Sequence, residues 1–152
     1  MMIREMIKIP CPVVGVRIVY VGGGKPVELR SLYGERVFLN RLVKLIGILR
    51  TKAGLSELHT QGLYSHRKTR RGRNLSLHAY GRAIDLAGFV VHDRWTLNVR
   101  RDWNNPHAEA FWNLLRGAIE AVSFGEEIEL ITPATDPRDH ADHIHWGLRL
   151  PR

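Results

Sequence analysis

With 152 residues, 44% of them hydrophobic, the chain is long enough for one domain with its own core and too short for two comfortable ones. No uninterrupted apolar stretch approaches the ~20 residues that a membrane-spanning helix requires, so a single soluble domain is expected. The 23 Lys and Arg residues against 15 Asp and Glu give a formal net charge of +8, a field that attracts nucleic acid, anionic headgroups or an acidic cell wall without choosing among them.

At the N-terminus the apolar residues are broken by Arg4, Glu5, Lys8 and Pro10, and no small-residue cleavage site follows, so Sec export is not expected. The one cysteine, Cys11, has no internal disulfide partner and reads as a small buried hydrophobe. Residues 14–21 alternate and are β-branched. With the turn Gly22-Gly23-Gly24-Lys25-Pro26 and a second extended piece at 27–32 they predict a hairpin. Across 35–50, Phe38, Leu42, Leu45, Ile46 and Leu49 recur at helical spacing, with Gly54 as the stop. The run His66-Arg67-Lys68-Thr69-Arg70-Arg71-Gly72-Arg73 is a dense basic loop. A second helix is announced by Asn105 as N-cap, Pro106 at the first helical position and Glu109 in the first turn. Its apolar stripe is Phe111, Leu114, Leu115, Ala118 and Ile119, and Gly125 ends it. Extended segments fit 58–65, 84–91, 95–99, 128–132 and 143–150. Strands and helices do not alternate regularly, so the reading is a single α+β domain over residues 1–152 with a mainly antiparallel sheet.

Two segments collect residue types that a core does not want. In Ser76-Leu77-His78-Ala79-Tyr80-Gly81-Arg82-Ala83-Ile84-Asp85, Gly81 allows a sharp turn between His78 and Asp85, and Asp85 is flanked by Ile84 and Leu86. A carboxylate in that setting is expensive to desolvate without a compensating positive charge, and a divalent cation would supply one. The second segment is His140-Ala141-Asp142-His143-Ile144-His145-Trp146. In a strand, His143 and His145 share a face and can address one site. Zinc takes imidazole nitrogen and carboxylate oxygen, with three protein ligands and a water in catalytic sites. A lone loop histidine is an ordinary surface residue, and clustered histidines alone can form a pH-sensitive surface; the pairing of the two segments is what points to a metal.

Ser76-x-His78-x-x-Gly81-x-Ala83-x-Asp85 resembles the SxHxxGxAxD signature of the D-alanyl-D-alanine metallopeptidases, and Asp142-His143-Ile144-His145 resembles their C-terminal metal-ligand motif. Within that group the chain is most similar, from about Leu63 to Trp146, to the extensin-like C-terminal domains. The resemblance implies a fold shared with D,D-peptidases and the Hedgehog signalling domain, and Zn2+ held by His78, Asp85 and His145. It implies Asp142 as general base, with His143 or His140 taking that role if Asp142 and His145 lie in one regular strand and face apart. Arg67 would stabilise the oxyanion, with Arg70, Arg71 and Arg73 as rivals; Ser76 and Arg71 would contact substrate, although Ser76 is equally explained by a local hydrogen bond. The chain departs from the extensin-like pattern in carrying His66 where many members have a cysteine, and in having no cysteine in the late helix.

The expected activity is zinc-dependent hydrolysis of peptide bonds in peptidoglycan stem peptides or crosslinks by a monomer. The basic loop would meet an anionic cell-wall surface, nucleic acid is not an expected partner, and the protein would reach the wall by lysis, a holin or a secretion or injection apparatus. The alternative is a zinc-containing cell-wall recognition module with little turnover. A histidine-metal nuclease, prompted by the charge, has no support from the motif.

Overall fold

The computed structural model describes residues 5–64 and 76–151. The chain opens with β1 (Met6–Pro10), followed by the expected hairpin of β2 (Arg17–Tyr20) and β3 (Val27–Glu28), in which Val19 stands opposite Glu28. The continuation, β4 (Ser31–Glu35), leaves the hairpin and pairs antiparallel with β1 as a separate two-stranded sheet. Helix α1 (Arg36–Ala53) follows at once. Glu35 is its N-cap, accepting from the Phe38 N–H, and Gly54 closes it in the left-handed conformation at φ 68°, where a side chain would be strained.

Next come β5 (Leu55–Gly62), a 3-10 turn (Leu77–Tyr80), β6 (Ala83–Val91) and β7 (Trp95–Asn98). A short α2 (Val99–Asp102), which the strand-like reading of 95–99 did not foresee, leads to α3 (Glu109–Val122), and β8 (Ile128–Ile131) and β9 (Ile144–Leu148) complete the chain. Asn105 and Pro106 do mark a helical start, but of a 3-10 turn (Pro106–Ala108) that precedes α3. The buried stripe of α3 is Trp112, Leu115, Ala118, Ile119 and Val122, so Phe111 and Leu114 sit at its edge rather than its centre. The Trp112 indole N–H explains part of that rotation, since it donates to the Asp102 carbonyl at 2.9 Å.

The main sheet runs β3-β2-β5-β6-β9-β8, with β7 also paired to β6. It is mixed, and this corrects the expectation of a mainly antiparallel sheet: β2 and β5 run parallel, with Ile18 opposite Leu58. The cause is the connection. Between β2 and β5 the chain passes through β4 and α1, a crossover long enough to bring the next strand back in the same direction. Alternation within a strand carries no information about its neighbour's direction.

Helices α1 and α3 cover one face of this sheet. Phe38, Leu39, Leu42, Leu45, Ile46 and Leu49 of α1 are all buried, and Phe38 meets Trp146 of β9 at a ring-centroid distance of 4.9 Å. Each such side chain contributes roughly 1.5–3 kcal/mol, so packing rather than helix propensity, worth tenths of a kcal/mol per residue, decides where α1 lies. Central strand β6 is enclosed almost throughout, with Ile84 and Leu86 in this core. No helix among the described residues is long and apolar enough to cross a membrane.

One buried ion pair ties the elements together. Arg82, 1% exposed, sends Nη1 to Glu35 Oε2 at 3.1 Å, Nε to the Leu148 carbonyl at 3.0 Å and Nη2 to the Arg149 carbonyl at 3.3 Å. The cap of α1, the start of β6 and the end of β9 therefore meet at one guanidinium. Removing one partner of a buried pair strands the other charge, at about 3–5 kcal/mol. Arg82→Ala is expected to lose that much in denaturant unfolding, whereas Arg17→Ala, which breaks the exposed pair with Glu57, should change stability by no more than about 1 kcal/mol.

Candidate metal centre

His78 is placed by its own turn. The Ser76 side chain accepts from the His78 N–H at 3.3 Å, the chain makes a single 3-10 turn, and Gly81 ends it at φ 67° with its N–H on the His78 carbonyl. A Cβ on Gly81 would lie 2.7 Å from the backbone nitrogen of Glu35, so glycine is required there by contact as well as by φ. Ser76 thus makes the local hydrogen bond that orders the turn. The imidazole of His78 then has Nδ1 2.7 Å from the Leu63 carbonyl and Nε2 3.1 Å from Asp85 Oδ1. A backbone carbonyl only accepts, so Nδ1 carries a proton toward Leu63, and Nε2 is the nitrogen that faces Asp85.

Asp85 and His145 come from adjacent strands in register, opposite one another on the face of the sheet away from α1. Their neighbours Ile84, Leu86, Ile144 and Trp146 alternate to the helix-covered face and anchor both strands. His145 Nδ1 lies 3.1 Å from Asp85 Oδ1, and His145 Nε2 lies 2.6 Å from Glu129 Oε1 on β8. One atom of each of His78, Asp85 and His145 falls within 4.8 Å of the others, and all three residues are buried.

The charges follow from this packing. Burial alone would push the Asp85 carboxyl up, but hydrogen bonds from His145 and His78 outweigh it and hold the group well below the usual carboxylate range. Burial likewise opposes a charge on His145, yet Asp85 and Glu129 on either side raise it to about 9. The cluster therefore attracts positive charge to the point between the rings. Two imidazole nitrogens and a carboxylate oxygen, each imidazole hydrogen-bonded on its far side, form a donor set that suits zinc.

His143 precedes β9 and brings Nε2 to 3.9 Å from Asp85 Oδ1. Its other nitrogen, Nδ1, meets Asp142 Oδ1 at 2.8 Å. Asp142 lies before the strand begins, which removes the conflict of facing directions, and its carboxylate sits on the side of the His143 ring remote from Asp85. Burial raises the Asp142 carboxyl, and hydrogen bonds from His143 and Gln61 more than reverse this. His140 packs its ring on His143 at 4.7 Å and pairs with Asp136 at 3.1 Å; its pKa is lowered, first by burial and then by the neighbouring His143.

A family model described as the extensin-like protein C-terminus matches residues 35–151. The chain belongs to that family. The match begins at Glu35, the cap of α1, so it takes in the helical layer and the whole site, a wider span than the likeness from about Leu63. No curated protein and no solved structure matches the chain.

In this extensin-like domain the expected ligands His78, Asp85 and His145 are brought together, with His143 beside them. Arg67, Arg70, Arg71 and Arg73 lie outside the described residues. Two partners were missed. The Leu63 carbonyl has no sequence signal, since any residue could supply it. Glu129 did have one: Ile128-Glu129-Leu130 repeats the apolar-flanked carboxylate of Ile84-Asp85-Leu86.

Proposed function

We propose that this extensin-like domain is a zinc-dependent peptidase that cleaves stem peptides or crosslinks of peptidoglycan, on a fold of the kind shared by D,D-peptidases and the Hedgehog signalling domain. The observation that carries the reading is the convergence of His78 Nε2, Asp85 Oδ1 and His145 Nδ1 with a further imidazole, His143, directed at the same carboxylate. The likeness of SxHxxGxAxD and Asp142-His143-Ile144-His145 to the D,D-metallopeptidase motifs supplies the substrate class.

Zinc held by His78, Asp85 and His145 would polarise a peptide carbonyl and lower the pKa of water toward about 7. The chain's own residues manage the proton. Asp142 accepts the Nδ1–H of His143, which leaves Nε2 free to take a proton from water on the Asp85 side, and the adjacent carboxylate stabilises the imidazolium. His143 then returns that proton to the leaving amine. Asp142 acts through His143 in this scheme, and His143, the option the sequence left open, is the base.

Arg67 is assigned to the developing oxyanion and the other arginines of its loop to anionic wall material. Arg67→Ala should lower turnover at saturating substrate by ~100-fold to 1,000-fold, the typical weight of one oxyanion donor. Arg70→Ala and Arg73→Ala should instead weaken binding to sacculi, most visibly at low salt. Equal turnover losses in all three variants would leave the loop as a docking surface only.

Purified peptidoglycan digested with and without chelator, and read by mass spectrometry, tests the reading directly. New peptide ends that disappear with chelator support the peptidase. Zinc-loaded protein that binds sacculi and releases no peptide or amine would favour the recognition module.

A further inference from the structure

We propose that Glu129 is the positioning residue of the metal centre: its carboxylate fixes the His145 ring so that Nδ1 is presented to the cation. This rests on the metal-centre reading and adds a residue that lies on a different strand from every ligand. The contact is the shortest around the site, 2.6 Å from His145 Nε2 to Glu129 Oε1. It is a diagonal reach across the sheet, because Glu129 stands opposite Gly147 and Ile131 opposite His145.

Glu129 itself is not placed to ligate. It meets the ring at Nε2, whereas the convergence with His78 and Asp85 is at Nδ1, and the three-residue cluster forms without it. Orientation is its contribution. Turning the His145 ring over by half a turn would put Cδ2 in place of Nδ1 and Cε1 in place of Nε2, and the contacts to Asp85 and Glu129 would be lost together. Glu129 is in turn braced by Arg149, whose Nη2 lies 3.5 Å from Oε2.

Charge is the second contribution. His78 donates its far-side proton to a neutral carbonyl, while His145 donates to a carboxylate. A carboxylate behind an imidazole raises its basicity as a ligand, and loss of such a partner typically costs 10-fold to 100-fold in metal affinity. His145 is thereby the stronger imidazole donor of the two.

The test is zinc affinity by chelator competition, together with the visible absorption of the Co2+-substituted protein, for wild type, Glu129→Ala, Glu129→Gln and Glu127→Ala. Glu129→Ala should raise the zinc Kd by about 10-fold to 100-fold and alter the Co2+ spectrum. Glu129→Gln keeps an acceptor oxygen without the charge, so it should restore the spectrum and recover part of the affinity. Glu127, which pairs with Arg149 at the surface, should be silent. Unaltered Kd and spectrum in a folded Glu129→Ala would overturn the role while leaving the metal centre standing. Wild-type protein that takes up no metal would overturn both.

Discussion

Replacing His78 or His145 with alanine is expected to abolish stoichiometric zinc and to lower the melting temperature, each to at least the endpoint reached by stripping the wild type with chelator. A cation that binds only the folded state adds RT ln(1 + [L]/Kd), about 2.7 kcal/mol when it is present at 100 times its Kd. For a domain of this size each kcal/mol moves Tm by about 2–4 °C, so a fall of about 5–10 °C is expected. Loss of the His145 imidazole would also leave Asp85 and Glu129 facing each other without the ring between them, so His145→Ala should fall further than His78→Ala. Metal analysis beside calorimetry checks this. Zinc content equal to wild type in both variants would remove these residues from the ligand set.

The second large effect lies in catalysis with the metal retained. His143→Ala should keep full zinc and lose about 100-fold to 10,000-fold in turnover, the usual weight of a general base. Asp142→Asn should lose activity to a similar order, because a carboxamide can offer its NH2 to His143 Nδ1 and so favour the tautomer with the proton on Nε2. The double variant should be scarcely worse than either single one, since groups that act as a unit are not additive. Muropeptide turnover, with zinc measured in parallel, separates the possibilities. Wild-type turnover in His143→Ala with a loss confined to Asp142→Asn would return the base to Asp142 itself.

Much of this domain was legible because local signals were left undisturbed by long-range contacts. Helix α1 could be read from its apolar spacing and Gly54, and its observed cap, Glu35, coincides with the start of the periodic segment. The candidate ligands His78 and Asp85 stood out because a histidine, a glycine and an apolar-flanked aspartate so close in sequence have no packing purpose together, and the turn that Ser76 opens and Gly81 closes leads from His78 directly into the strand that carries Asp85. What stayed hidden depends on pairing. The parallel run of β2 beside β5, the partnership of Arg82 with Glu35 across 47 residues and the reach of Glu129 to His145 across 16 are all settled by which strands become neighbours. Asp142 illustrates a finer limit. Its position three residues before His145 was plain, but whether it faces the candidate metal site or the back of His143 depends on where β9 begins, at Ile144, which alternation alone does not determine.

The guanidinium of Arg82 has a bearing on how the protein can be handled. It binds the end of β9 to the strand that carries Asp85, and the turn carrying His78 is held by Ser76, Gly81 and Leu63, all through contacts among the protein's own groups. The three candidate donor atoms are therefore held at their spacing by the protein's own contacts. Dialysis against chelator followed by Co2+, Mn2+ or Zn2+ should proceed in both directions at constant circular dichroism, so the same preparation can be exchanged from one ion to the next. On the proposed metal-centre reading the domain would serve as a frame on which metals, and in time altered triads, could be compared without refolding.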